Sequence, residues 1–539
     1  MAYRFTFLIV ALVGAYALLG FHLYQLQVVK GDYYFAKAQA QILASRGANG
    51  ARGAIYFTDK DGRTLPAAVE KQFPVIYAVP KAIVDADEAA NTVAPILGMP
   101  VSTLKKVFSK PNDEYELLVR KADPAVVDQL TAKTNDLHMK GIYADFAPAR
   151  FYPLNAIASQ LLGYVGPNAS NTGESGHYGV EGFYDAALQG VASDITLTID
   201  QNVQIEAEKI LDNLVTSQKA TGGSIIVADP QTGKIFAMAS APSFDANNYS
   251  ASPLGDLINP VVQKIYEPGS VFKVLTMASG IDSGKLTPQT TYVDTGTVTV
   301  SGKKVANYDL VRHGPYGVAT MTNVIEHSIN TGAVFAESKV GNDIFTNYLK
   351  KFGLDGKSGV DLPGELSGSL RQLTPKAPQV AFATASYGQG VAVTPLELMN
   401  AIATIANGGN LMRPYVNAAL APQVIRRVIS TSTAQQVTGM MLSAVDKAGV
   451  ASIGGYSLAG KTGTAFIPNF VHGGYTDRVI DSFVGFGPTT NPRFVALIKI
   501  DSLPSTALAA ESVVPAFRDI AQYLINYYNI PPDRIGSTQ

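Results

Sequence analysis

The chain contains no cysteine, and only 16% of its residues are charged. Without cysteine there can be no disulfide, no thiolate nucleophile and none of the usual structural zinc sites. The six histidines are scattered and lack the His-Glu-x-x-His spacing of a helical zinc site, so no metal and no cofactor is expected. With 42 basic residues against 43 acidic ones, the formal net charge is −1. No broad basic surface is available for a phosphate backbone, which excludes nucleic acid as a partner. There is also no fixed-period repeat, and no disordered tract beyond the last few residues. What remains is a chain of 539 residues, enough for two or three domains that each bury a core.

Phe5 to Val29 carries no Asp, Glu, Lys or Arg and is mostly Leu, Val, Ala, Phe and Tyr. A bilayer is crossed by about 20 such residues. A cleaved signal peptide has a shorter apolar core and a small-residue cleavage site, whereas this run continues through His22, Tyr24 and Gln25. An uncleaved transmembrane anchor over residues 1–29 is therefore expected. Arg4 precedes the run, but Lys30 and Lys37 follow it closely, so charge alone does not orient it.

After the anchor, Gly31 to Ala44 reads as a helical stem that Gly47 to Arg52 interrupts. Residues 30–195 then form a smaller mixed module, with a strand at Phe73–Val79, a helix at Pro124–Leu137 and no catalytic motif. The second unit, 196–530, begins where the strand Ile195–Ile199 gives way to an amphipathic helix with Val203, Ala207, Ile210 and Leu211 on one side. A hairpin follows, Ser224–Ala228 and Lys234–Ala239, turned at Asp229-Pro-Gln-Thr-Gly233. A second, Ser482–Phe486 and Phe494–Lys499, lies near the far end, before a closing helix over Val513–Tyr528. An α/β (α+β) unit is expected, in which an antiparallel sheet assembled from both ends is flanked by helices.

Three short motifs stand in order within that unit: Ser270-Val-Phe-Lys273, Ser328-Ile-Asn330 and Lys461-Thr-Gly-Thr464. Ser-x-x-Lys recurs at Ser102/Lys105 and Ser301/Lys304, and Lys357-Ser-Gly359 imitates the third motif, so context must choose. Glu267-Pro-Gly269 is a turn, and Val271, Val274, Leu275 and Ala278 share a helical face. This places Ser270 at a helix start with Lys273 one turn along the same side. A serine hydroxyl needs an adjacent base, and a lysine amine is a base only when neutral. Desolvation, a second cation and the helix dipole all favour that state. The Ser102 copy reads as an ordinary amphipathic helix, the Ser301 copy as a hairpin turn and the Lys357 copy as a surface turn. Ser328-Ile-Asn330 is the single Ser-x-Asn in the chain. It is expected to relay a proton between Lys273 and the leaving amine through Ser328, and to hold the substrate amide through Asn330. The bland alternative is a polar loop after a helix over Met321–His327, with Asn330 or Thr331 as the next N-cap. Lys461–Thr464 follows the alternating stretch Gly455–Gly460, which suits a strand at a sheet edge, where an extended peptide can add. Lys461 supplies positive charge, and the Thr462 and Thr464 hydroxyls could hold a terminal carboxylate. Gly463 lets the substrate backbone approach, and the N–H groups of Ser270 and Thr464 form an oxyanion hole.

With these motifs in this order, the chain resembles the class B penicillin-binding proteins. The likeness extends to the anchor, to Arg52-Gly-Ala-Ile-Tyr56 with Asp59-Lys-Asp-Gly62, to Gly179-Val-Glu181 with Tyr184, and to Ala383–Gly390 followed by Val393-Thr-Pro395. It departs in two places: Phe57 and Thr58 lengthen the first-unit motif, in which Lys60 replaces an arginine, and Ile329 stands where the pattern has Asp. The resemblance implies a serine β-lactamase-like transpeptidase fold behind a non-catalytic pedestal or dimerisation module. It also implies a reaction in which Ser270 attacks the penultimate D-alanine of a peptidoglycan stem peptide and passes the acyl group to an amine on a neighbouring strand. β-Lactams would trap Ser270. Implied partners are stem peptides ending in D-Ala-D-Ala, the bacterial cytoplasmic membrane with the catalytic unit outside it, and a glycan polymerase of the SEDS family, with the balance toward septal division over elongation. The alternatives are a D,D-carboxypeptidase or serine β-lactamase, in which water resolves the acyl-enzyme, and a membrane β-lactam sensor. The anchor and first unit count against the soluble hydrolases, and the single span counts against the sensor.

Overall fold

The structure, a computed structural model, describes residues 2–25, 52–170, 173–189, 193–506 and 508–534. Helix α1, Ala2–Tyr24, starts three residues ahead of the uncharged run and follows it as far as Tyr24, and Leu12, Leu18 and Phe21 on it are exposed. Its side chains are described from Leu12 onward, and among the described residues no helix is long and apolar enough to cross a membrane. The expected stem at Gly31–Ala44 and the break from Gly47 to Ala51 lie outside the described residues.

The first module is built on strands β1 (Ile55–Thr58), β2 (Thr64–Ala78), β3 (Glu116–Val119), β4 (Ile142–Phe151) and β5 (Ile195–Asp200). The long β2 pairs antiparallel with β1 through Ala68 and then with β4 from Val69 to Ala78. β5 joins β1 in parallel. The two residues that lengthen the Arg52 motif complete β1. Phe57 is fully buried, and the Thr58 hydroxyl donates to the Leu197 and Ile199 carbonyls of β5. Helices α2 (Ala86–Leu97), α3 (Val101–Phe108) and α4 (Pro124–Asp136) close a separate core, with Val93, Leu104, Phe108 and Leu130 against Ile76 and Ile142. Asp85 and Asp123 cap α2 and α4 by accepting backbone N–H bonds, and Pro124 sits at the first helical position. The decoy Ser102/Lys105 lies on α3, where Lys105 pairs with Asp87 at the surface.

The Arg52 and Gly179-Val-Glu181 segments meet in an ion cluster. Glu181 is fully buried and accepts from Arg52 at 2.8 Å, Arg150 at 2.6 Å and the Tyr152 hydroxyl at 3.2 Å. Arg52 also reaches Asp185 at 2.7 Å, and Arg150 donates to the Gly53 carbonyl. Tyr184 carries the connection onward by donating to Asp361 of the second unit at 2.8 Å.

The second unit opens with α5 (Gln201–Gln218), capped by Asp200, followed by β6 (Gly222–Ala228) and β7 (Ile235–Ala241). Next come helices α6 (Phe272–Asp282), α7 (Met321–Glu326), α8 (Asn330–Val340), α9 (Pro395–Ala406) and α10 (Thr431–Ala448). Strands β8 (Ala459–Pro468), β9 (Tyr475–Gly487), β10 (Phe494–Pro504) and helix α11 (Val513–Tyr527) complete it. The sheet runs β8-β9-β10-β6-β7, antiparallel throughout, so strands from the two ends of the unit meet in the middle as expected. α5 and α11 cover one face, burying Val203, Leu211, Phe483, Phe517 and Leu524. α6 is buried from Phe272 to Ile281, the pattern of a central helix enclosed on every side.

The edge strand differs from its expected position. Gly455–Leu458 forms no strand; β8 starts at Ala459 and takes in the whole Lys461–Thr464 motif. The decoy Ser301 turns a small hairpin with Gly302, both at positive φ, and Lys357-Ser-Gly359 lies outside regular structure.

The ion cluster sets a test. Glu181→Ala leaves two buried guanidinium groups without their shared carboxylate and should cost about 3–5 kcal/mol, read as a fall in the urea midpoint. Lys105→Ala, which removes a surface pair, should cost under about 1 kcal/mol.

Candidate active site

Ser270 lies in a 3-10 turn, Gly269–Val271, that leads directly into α6. The turn is held by close backbone contact. Gly269 has φ +59° and donates its N–H to the Gly388 carbonyl at 3.1 Å. A Cβ on Gly269 would stand 2.6 Å from the Thr464 carbonyl oxygen, and one on Gly388 would stand 2.2 Å from the Gly269 oxygen. The nucleophile turn, the Ala383–Gly390 segment and β8 are thus seated on one another through glycine backbone.

Lys273, one turn past Ser270 and the second residue of α6, is fully buried, with Nζ 3.0 Å from Ser270 Oγ and 3.1 Å from Ser328 Oγ, and it donates to the Ser328 carbonyl. Lys461 is 3% exposed, and its Nζ lies 3.0 Å from the same Ser328 Oγ. Ser328 therefore bridges the two amines. Burial first, and the neighbouring Lys461 second, hold the Lys273 ammonium well below the ordinary lysine range. Burial brings Lys461 down to about 7. The opposing influence on Lys273 is Asp309, a carboxylate that the sequence reading did not single out.

Ser328 has φ +57°, a conformation that a non-glycine residue keeps only under constraint, here from the two lysines on its hydroxyl and carbonyl. The cap at Asn330 or Thr331 that the alternative reading of this motif called for is not formed. Ile329 occupies the N-cap position without a side-chain bond, and Asn330 is the first helical residue of α8. The Asn330 amide nitrogen donates to the Ala306 carbonyl at 2.9 Å, which leaves its oxygen to accept. Ile329 itself is fully buried in the core, the physical reason an apolar residue suits that position.

On β8, Lys461 donates to the Thr462 carbonyl and to Thr462 Oγ1, both at 3.2 Å. Because that carbonyl faces the site, the peptide groups of Thr462 and, two residues on, Thr464 turn to the open edge of the sheet. Gly463 has a further reason that the linear reading did not supply. A Cβ there would stand 2.5 Å from Ser482 Oγ and 2.8 Å from the Pro268 carbonyl, so the nucleophile turn leaves it no room. The Thr464 hydroxyl donates to Asp481 at 2.8 Å, a partner hidden from a linear reading because it lies across the strand pair.

The comparisons agree with this geometry. The family described as penicillin binding protein transpeptidase domain matches residues 223–522, more than half of the chain. The penicillin-binding protein dimerisation domain matches residues 48–227. The chain belongs to the class B penicillin-binding proteins. Among its relatives, penicillin-binding protein PbpB of Mycobacterium tuberculosis is 30% identical over 80% of this chain and 68% of that one. Peptidoglycan D,D-transpeptidase FtsI of Escherichia coli is 27% identical over 99% of this chain and 93% of that one. The crystal structure of apo penicillin binding protein 3 from M. tuberculosis superposes with a TM-score of 0.65 at 28% identity, covering 72% of this chain and 92% of the other. As a class B protein, the chain has its transpeptidase domain behind a module without a Ser-x-x-Lys centre, since the Ser102 copy lies on the surface helix α3.

Gly463→Ala should push the Pro268 carbonyl and the Ser270 turn out of place at a cost of about 1–3 kcal/mol. We expect acylation of Ser270 to slow by roughly tenfold or more and the melting temperature to fall by a few degrees, as measured by stopped-flow acylation and calorimetry.

Proposed function

We propose that this protein is a peptidoglycan D,D-transpeptidase that cross-links stem peptides through an acyl-Ser270 intermediate. The observation that carries the reading is the buried Lys273 amine 3.0 Å from Ser270 Oγ, with Ser328 joining it to Lys461. Neutral Lys273 takes the Ser270 proton as Oγ attacks the penultimate D-alanine carbonyl of the donor peptide. The N–H groups of Ser270 and Thr464 receive the oxyanion. The proton travels from Lys273 through Ser328 Oγ to the leaving nitrogen, the amide bond breaks, and terminal D-alanine departs. The acceptor amine of a neighbouring stem peptide then attacks the ester, gives its proton back along the same route, and restores Ser270. Lys461, Thr462 and Thr464 hold the donor's terminal carboxylate, Asn330 accepts from the peptide N–H, and Gly463 keeps β8 seated against the turn. A β-lactam follows the first half of this course. Its leaving nitrogen stays tethered after ring opening, which accounts for a long-lived ester.

The 23-residue helix α1, with Leu12, Leu18 and Phe21 exposed, supports a single-pass anchor in the bacterial cytoplasmic membrane. The catalytic unit would then lie outside, where its substrate is. The module ahead of it would act as a pedestal, with a SEDS-family glycan polymerase as the partner that supplies new strands.

The acyl-serine reading is tested by intact mass after exposure to a fluorescent penicillin. A stable adduct is expected on the wild type and none on Ser270→Ala, whereas an adduct lost within seconds would identify a β-lactamase. Lys273→Ala should slow acylation by about 10²–10⁴-fold while the fold is kept. The pH profile has a definite sign. The base works unprotonated, so acylation falls as pH drops through the lowered pKa of Lys273. Lys461→Met removes the neighbouring cation, lets that pKa rise, and should move the acid limb to higher pH. The anchor is tested by fractionation: the full chain should stay with membranes after salt washing, and Leu18→Asp/Leu19→Asp should release it.

A further inference from the structure

Asp481 is a carboxylate that the proposed chemistry leaves without a task. It stands on β9 directly across from Thr464 and is fully buried. Its Oδ1 accepts from the Thr464 hydroxyl at 2.8 Å and its Oδ2 from the Ser512 hydroxyl at 2.8 Å, while Ser512 also lies 3.3 Å from the Leu508 carbonyl. Both direct partners are neutral hydroxyls. A buried carboxylate held only by hydroxyls, one residue's width from where a second carboxylate must bind, is a conflict if it is charged.

Counting donors shows how the conflict resolves. Thr462 Oγ1 already accepts from Lys461, so its own proton is free for a ligand. Thr464 spends its single proton on Asp481 and offers only lone pairs toward the open edge, which an incoming carboxylate cannot use. With a proton on Oδ1, the bond reverses. Asp481 then donates to Thr464 Oγ1, and the Thr464 O–H is released to donate to the ligand, while Ser512 continues to donate to Oδ2. Burial pushes the Asp481 carboxyl toward that protonated form against the pull of the two hydroxyls. The Tyr308 phenol feels its charge.

We propose that Asp481 is a positioning residue of the donor site, turning the Thr464 hydroxyl toward the terminal carboxylate of the stem peptide through a hydrogen-bond chain that begins at Ser512. This rests on the reading of Thr464 as part of the donor carboxylate site. Its consequence is a preference for carboxylate-bearing donors that depends on the neutral form of Asp481. Asparagine reproduces that form, with Nδ2 donating to Thr464 and Oδ1 accepting from Ser512.

The experiment measures second-order acylation of the full chain by benzylpenicillin and by its methyl ester, from mildly acid to alkaline pH. The ratio of the two rates reads carboxylate recognition, and the ester rate alone reports whether the Ser270 centre is intact. Lys461 also titrates in this range, but it is common to every variant, so variants are compared at each pH. Asp481→Ala should lower the acid-to-ester ratio by roughly tenfold at mildly acid pH, with the ester rate little changed. Asp481→Asn should match the wild-type ratio at acid pH and exceed it at alkaline pH, where the wild type loses the neutral form, an outcome that a purely structural role for the carboxylate does not produce. An alanine variant with the wild-type ratio overturns the proposal, as does an asparagine variant that falls with alanine. Failure of the wild type to be acylated by either compound overturns the acyl-serine reading, and this inference with it.

Discussion

Taking a lysine ammonium out of water costs several kcal/mol, and the transpeptidase unit is organised so that the cost falls on the charged form alone. α6 is enclosed from Phe272 to Ile281, which puts the Lys273 amine at the bottom of the site with no water to solvate a charge. The groups around it, the Ser270 hydroxyl and the Ser328 hydroxyl and carbonyl, are the partners that a neutral amine needs. A second buried lysine adds repulsion. The same enclosure that makes Lys273 a base fixes α6 against the sheet, so catalytic competence and the core of this unit are one property.

The first module is tied to this unit by specific polar links. Tyr184 donates to Asp361, whose carboxylate also accepts the N–H groups of Val416 and Asn417. On the other side, Lys60 donates its amine to the Tyr527 carbonyl at the end of α11 and sits over that ring. The lysine that departs from the family pattern thus faces the C-terminus of a helix, where a cation is favoured. The first link ends at a bend, Asp361, and the second at the last residue of α11, one of the two helices that cover the sheet.

Much of this was legible in the linear sequence, because it depends on short-range pattern. The turn before Ser270, the apolar face behind Lys273 and the two terminal hairpins are local signals, and each appears where the spacing puts it. Ser328 and Asn330 were recognisable as the chain's single Ser-x-Asn, while the helix start at Asn330 carries no local sign, because Ile329 fills the cap position with a side chain that caps nothing. What could not be read depends on register. Thr464 meets Asp481 only because β8 and β9 pair with these residues opposite one another. Gly463 faces Pro268 only because the nucleophile turn packs beneath the edge strand. Glu181 collects Arg52 and Arg150 from segments far apart in the chain. An acidic residue just ahead of the apolar run Phe483–Phe486, as in Ile480-Asp481-Ser482, was the one available sign of the Thr464 contact.

The contact among Gly269, Gly388 and Gly463 has a bearing on how such a site can change over generations. Where the nucleophile turn meets β8 and the 388 segment, much of the touching surface is main chain, with only short side chains such as Ser482, Val271 and Ala465 beside it. Selection acting on ligand preference would find little adjustable at that junction. It would have to work at the rim, on residues such as Thr462, Asp309 and Asn330, or on carboxylates one layer back. The junction behaves as a fixed datum from which the variable parts of the pocket are measured.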